Sequence, residues 1–348
     1  RRVLFRSRHL KNQWLMANDP DAGIDQEKWR EHAELLFELT HEAVRTGGFE
    51  FNSRPYFGYT IAALLVLHDC TAIPELQMAT AHALDRLMTG MAWAVYDDRF
   101  TGPFRRQLGR AYDKDLSKHA GIGLLKVWEA RETGEELPLG AIPHGAHQGL
   151  IAAVSGYQPH RGVFEALYKR DSGFVRLGHG RWATPHVISY GKGWMLSGGG
   201  SFQGKIKQVV PQPIILLAKG GSAHLDSVVH CPLPDDNLKV DRTGGFGPLA
   251  VADHPFVMPP QAQLRRQEDY WQLYRIQSDL HVLNYKSDAV HALYVLPMKE
   301  AQAIEKLESI ALSNPELKAD GKVILHDGSQ VFYDLHNGRK DWIITGYA

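Results

Sequence analysis

The chain has 348 residues, 44% of them hydrophobic, and its 39 Lys and Arg are matched by 39 Asp and Glu. That length exceeds the usual single domain, so two domains are expected, and the balanced charge excludes a global field that recruits nucleic acid or an anionic membrane surface. Cys70 and Cys231, far apart in sequence, exclude a disulfide framework and a cysteine-rich zinc site.

Residues 1–7, Arg1-Arg2-Val3-Leu4-Phe5-Arg6-Ser7, resemble the translation of a sequencing adaptor and are set aside from fold reasoning. With no initial Met, the natural N-terminus, with any export signal and earlier helices, is expected to lie outside this chain. Glu27 to Arg45 places Trp29, His32, Leu35, Leu36, Leu39 and Ala43 at helical spacing, and Thr60 to His68 continues as a second helix with Pro55 in its first turn. Between them, 49–59 crowds polar and aromatic groups into a short break. Pro74 opens a third helix that ends near Tyr96, followed by a loop, 101–113, in which Arg105, Arg106 and Arg110 share a turn with Tyr112. Glycines from Gly121 onward shorten the later helices. No apolar run reaches the length that spans a bilayer.

Near Tyr157 the pattern changes to short runs rich in Val, Ile, Tyr and Trp, separated by Gly and Pro: 173–177, 186–190, 194–197, 214–218, 281–285, 292–296, 322–326, 330–335 and 342–345. One helix, Glu300 to Leu312, interrupts them. Pro232 to Pro260 reads as a long loop over an interdomain cleft, and Gly198-Gly199-Gly200-Ser201 as a turn.

Asn52, Ser53, Pro55 and Tyr56 in the first loop, and Gly102-Pro103 with Arg110-Ala111-Tyr112 in the second, carry a resemblance to polysaccharide lyase-like proteins of the heparinase, alginate lyase and chondroitin lyase type. The resemblance implies an α+β multidomain architecture: an incomplete (α/α) toroid over 8–157, then an antiparallel β-sandwich over 158–348, with a carbohydrate site in the groove between them. It further implies β-elimination on an acidic, uronate-containing polysaccharide or oligosaccharide, no cofactor or metal, and a secreted or periplasmic location.

Such a reaction must neutralise a carboxylate, supply a base and supply an acid. Asn52 can donate its amide hydrogens to the carboxylate, and Arg110 can grip it bidentately. Tyr112, two residues from Arg110, is the candidate proton carrier, because a phenol flanked by cations ionises more easily. Tyr56 and Tyr59 are its rivals and candidate substrate contacts, with Arg105 and Arg106. His144 and His147 lie in or beside a Gly-rich loop, and His160, His179 and His186 flank the change of pattern. One of these histidines can complete the site as base or as carboxylate neutraliser.

Plainer readings stand beside these. Asn52 and Ser53 equally suit helix caps, Tyr56 a packing residue, and the arginines a solvated surface. Asp97-Asp98 and Asp113/Asp115 offer the two carboxylates of a glycoside hydrolase. Trp182, Trp194, Trp271 and Trp342 offer rings for a carbohydrate-binding protein without turnover.

Overall fold

Asp25 shows how local chemistry starts the helices of this protein. Its carboxylate accepts from the Lys28 backbone N–H at 3.0 Å, satisfying a first-turn donor that has no acceptor within the helix. The structure, a computed structural model, describes residues 2–47, 53–102, 104, 114–137, 146–178, 186–199, 214–232, 243–337 and 344–348. Among them are eight α-helices and several antiparallel sheets, a mixed α+β protein.

The helices are α1 (Arg2–Asn18), α2 (Gln26–Thr46), α3 (Arg54–Cys70), α4 (Pro74–Ala94), α5 (Ala120–Thr133), α6 (Ala146–Val154), α7 (Arg161–Tyr168) and α8 (Glu300–Ser313). The chain forms two compact units: Arg1–Ala92 with Lys118–Tyr168, and Trp93–Ser117 with Lys169–Ala348. The first holds the helices up to α7. Helical structure therefore continues past Tyr157 to Tyr168, while 93–117 belongs to the second unit.

Tyr157 explains why the first unit extends so far. Its ring is buried edge-on against Trp128, with centroids 5.6 Å apart, and its hydroxyl donates to Asp85 Oδ1 at 2.7 Å. The same carboxylate oxygen accepts from the His160 N–H at 2.9 Å. Two bonds to one α4 side chain thus hold the connection between α6 and α7, and an aromatic residue that resembles a strand former in sequence serves as an anchor among helices.

In the second unit, β1 (Val95–Tyr96) and β2 (Arg99–Phe100) form a small hairpin whose turn holds Asp97 and Asp98 at φ 53° and 57°. A five-stranded sheet runs in sequential order through β3 (Gly173–Leu177), β4 (His186–Gly191), β5 (Trp194–Gly199), β6 (Ile214–Ala218) and β7 (Val229–Cys231). A six-stranded sheet comprises β8 (Thr243–Phe246), β9 (Leu249–Ala252), β10 (Gln263–Glu268), β11 (Trp271–Gln277), β12 (Leu280–Lys286) and β13 (His291–Leu296), in the order β10-β11-β12-β13-β9-β8. The third sheet is β14 (Asp320–Ile324), β15 (Gln330–Asp334) and β16 (Ile344–Tyr347).

Strand periodicity sends alternate residues of β12 and β13 to opposite faces. Val282, Leu293 and Val295 pack against Trp194, Leu196, Ile214 and Leu216 of the five-stranded sheet. Leu283, Tyr285, Ala292 and Tyr294 pack against Leu307 and Ile310 of α8 and Val323 and Val331 of the small sheet. A sheet buried on both faces needs nearly continuous apolar strands, and His-Ala-Leu-Tyr-Val-Leu in β13 is one.

Two local expectations are corrected here. Pro232 to Pro260 contains the hairpin β8–β9, turning at Gly247 with φ +55°, where a loop is expected. Gly198 and Gly199 lie in β5, where a turn is expected. The reasons are linked: a Cβ on Gly198 would stand 3.3 Å from Gly245 Cα, so the two sheets meet backbone to backbone at glycines. Strand propensity cannot register a strand chosen for its missing side chains.

Candidate functional site

The first unit gathers buried polar side chains where α3 and α5 begin. Ser53 precedes α3 in extended conformation, and its carbonyl accepts from the Tyr56 and Phe57 amides at 3.1 and 2.8 Å. Ser53 and Arg54 are both buried. The expected side-chain cap is not formed: Ser53 Oγ makes no capping bond and meets no hydrogen-bond partner among the described residues.

His119 caps α5. Its Nδ1 accepts from the Gly121 N–H at 3.0 Å, which leaves the proton of the neutral ring on Nε2. The ring is buried and lies 5.7 Å from that of Phe57 on α3. Gly58 permits this closeness, since a Cβ there would stand 3.0 Å from Ala120 Cβ and from the Gln148 side chain on α6. Gln148 is itself buried, and its Oε1 has no partner among the described residues. Buried polar atoms are normally hydrogen-bonded; the Ser53 and Gln148 oxygens share their lack of a partner with core atoms such as Trp128 Nε1 and Asn284 Oδ1, and what sets this corner apart is that they lie beside buried Arg54 and His119.

Its electrostatics favour an anion. The positive ends of the α3 and α5 dipoles lie at these two starts, although their first-turn amides already donate to the Ser53 carbonyl and to His119; Arg54 adds a buried cation, and the His119 Nε2–H is a donor. The cap position of His119 escaped sequence reading, which sought caps among Asn and Ser. The available signal was a His directly before the apolar run Ala120-Gly121-Ile122-Gly123-Leu124-Leu125.

Of the expected site residues, Tyr56 and Tyr59 lie three apart on the first turns of α3, 47% and 55% exposed, on one helix face. His147 is in the first turn of α6, adjacent to Gln148. Asn52, Arg105, Arg106, Arg110, Tyr112, His144 and His179 lie outside the described residues, as do Asp113, Trp182 and Trp342. His160 is exposed, and its Nδ1 accepts from the Gly162 N–H at 3.1 Å at the start of α7. His186 is buried on β4 in the second unit.

The rival carboxylates have structural partners. Asp97 Oδ2 accepts from Arg99 Nη2 at 3.1 Å and from the Gly220 N–H at 2.7 Å, while Arg99 is buried and also donates to the Ala218 and Ser222 carbonyls. Asp115 Oδ1 accepts from the Ser117 N–H and hydroxyl at 3.0 and 2.6 Å. Trp194 and Trp271 are core residues, with no ring face offered to a sugar, and Trp271 Nε1 donates to the Asn314 carbonyl at 3.0 Å.

Among the described residues, no group of three or more His, Cys, Asp and Glu side chains is placed to hold a metal ion, and no helix is long and apolar enough to cross a membrane. Comparison of the chain with protein families, curated proteins and solved structures gives no match.

Proposed function

We propose that this chain is a carbohydrate-active enzyme, a polysaccharide lyase that cleaves an acidic, uronate-containing polysaccharide by β-elimination. In this reading the helical unit is an incomplete (α/α) toroid, the stacked sheets are a β-sandwich, and the protein works on its polymer in a secreted or periplasmic setting. The observation that supports the reading is the meeting of the α3 and α5 N-termini, which brings together buried Arg54, His119 and the Ser53 and Gln148 oxygens, the latter two without partners among the described residues.

The chemistry assigns each group a task. The substrate carboxylate is neutralised by the His119 Nε2–H, Asn52 and Arg110, which lowers the cost of carbanion character at the adjacent carbon. Tyr112 takes the proton from that carbon, with His144 as the other candidate base. The C–H electron pair becomes the carbon–carbon double bond as the glycosidic C–O bond breaks, and the leaving oxygen recovers a proton from the phenol. Exposed Tyr56 and Tyr59, with Arg105, Arg106, His147 and His179, serve the flanking sugars.

The test is incubation with a panel of uronate polymers while the ultraviolet absorbance of the unsaturated uronate product is followed. Absorbance should rise with at least one polymer and vanish in Tyr112→Phe. Cleavage to saturated ends sinks the lyase and favours the hydrolase.

A further inference from the structure

Three sets of contacts dock α1 within the first unit. Leu10 packs, with Phe37 and Ile73, against the buried cluster of Leu36, Leu67 and Leu76. Gln13 ties the helix to the turn between α3 and α4, its Nε2 donating to the Cys70 carbonyl and its Oε1 accepting from the Ala72 N–H, both at 2.8 Å. The third contact is His9, which is fully buried, its ring parallel to that of Trp29 on α2 within 9° and 5.2 Å away between centroids. Along its other side α1 meets water, with Arg8, Lys11 and Trp14 exposed.

The surroundings of His9 suit a neutral ring only. Neither of its nitrogens meets a hydrogen-bond partner among the described residues, and nor does Trp29 Nε1. Burial holds the ring below its ordinary pKa; the Trp29 carbonyl opposes this without reaching hydrogen-bonding geometry, and His32 on α2, itself buried, adds to it. The carboxylates of the packed elements face away: Glu27, Glu31 and Glu34 of α2 are exposed, as are Asp19 and Asp21 beyond the far end of α1. From α3, Cys70 acts on Arg6, one turn before His9 on α1, and not on His9 itself.

We propose that α1 is a proton-released clasp: the neutral His9 ring seats it on Trp29 of α2, and a proton on that ring lifts the helix away and uncovers Leu36, Leu67 and Leu76. An ion without a counter-charge is poorly tolerated in an apolar interior. A cation over an indole face gains some attraction, but less than a buried, unpaired ion loses in leaving water. Because α1 is in contact along one side only, its release breaks one face of packing and leaves α2 to α7 together, an opening smaller than unfolding of the unit. The detached ring titrates near the ordinary value of about 6.5 and the docked ring below it. The closed state is therefore favoured above that pH and loses ground as pH falls toward the docked value.

The experiment is amide hydrogen exchange of the full chain from neutral pH downward, read as protection factors, which already allow for the pH dependence of exchange itself. Protection in α1 should fall by up to roughly tenfold per pH unit below about pH 6.5, one proton being taken up on opening, while α4 stays protected at the same pH. His9→Phe keeps a flat ring against Trp29 but cannot take up a proton, and it should remove the fall in α1. If His9→Phe does not fold, His9→Gln, equally unable to titrate, takes its place.

Protection in α1 that does not change with pH overturns the clasp. So does equal protection of α1 and α4 at every pH, which would mean that the unit opens as a whole, and so does a fall in α1 that persists in the His9 variant.

Discussion

The His119 ring stands 5.7 Å from that of Phe57 while its Nδ1 holds the Gly121 amide, so one side chain both starts α5 and touches α3. The two roles separate by substitution. His119→Asn keeps a side-chain acceptor at the cap position but removes the Nε2–H and the buried ring against Phe57, and it should lower the melting temperature less than His119→Ala while greatly reducing turnover on acidic polymer. His119→Ala removes the cap as well and should cost about 1 kcal/mol of stability besides. Turnover retained in His119→Asn would leave the residue only its structural role.

Tyr157 and Asp85 form the second testable pair. Burial, and then the Asp85 carboxylate accepting its proton, raise the phenol well above its ordinary pKa. Tyr157→Phe keeps the ring against Trp128 and leaves Asp85 with the His160 amide. Hydrogen bonds to charged groups contribute about 1.5–3 kcal/mol, so denaturant unfolding of this variant should show a loss of that size. An unchanged midpoint would mean that water replaces the phenol without cost.

How much of this was legible beforehand follows from what periodicity can carry. The α2 pattern from Glu27 to Arg45 and the Pro55 start of α3 match the structure because an amphipathic face and a proline are local signals. Strands such as 173–177 and 214–218 stand out because their apolar, β-branched runs are bounded by turns. Tyr157 misled because nothing local reveals that its partner is Asp85. The β8–β9 hairpin stayed hidden because its glycines are explained only by Gly198 on a distant strand. At the site, Tyr56 and Tyr59 were visible as aromatic residues at a helix start, while His119 and Gln148 join them only through tertiary packing around Gly58.

Acid should destabilise the protein through its buried histidines. Burial, then Lys286 and His254, lower His291 to about 4, with Asp288 opposing. His9, His230, His281 and His326 are lowered too, with burial the largest cause in each. The folded state therefore binds fewer protons than the unfolded chain below about pH 6.5. Stability present above that pH is lost as pH falls toward the folded value. Melting temperatures followed from neutral pH down to about pH 4 should decline, and His291→Gln should flatten the decline. A curve that rises on acidification would contradict the sign.

The contact between Gly198 and Gly245 makes an asymmetric prediction. A Cβ on Gly198 meets only backbone, with Gly245 Cα and N at 3.3 Å and Gly244 C at 3.4 Å, whereas a Cβ on Gly245 finds its nearest atom, Gly198 Cα, at 3.6 Å. Backbone cannot rotate aside as a side chain can, so Gly198→Ala must push β5 and β8 apart by a few tenths of an ångström. Overpacking of this kind costs about 1–3 kcal/mol. Gly245→Ala makes ordinary contacts and should be close to neutral or gain slightly from reduced chain entropy in the unfolded state. Urea midpoints of the two variants measured side by side decide the matter: equal losses, or a larger loss in Gly245→Ala, would mean that the sheets do not approach through Gly198.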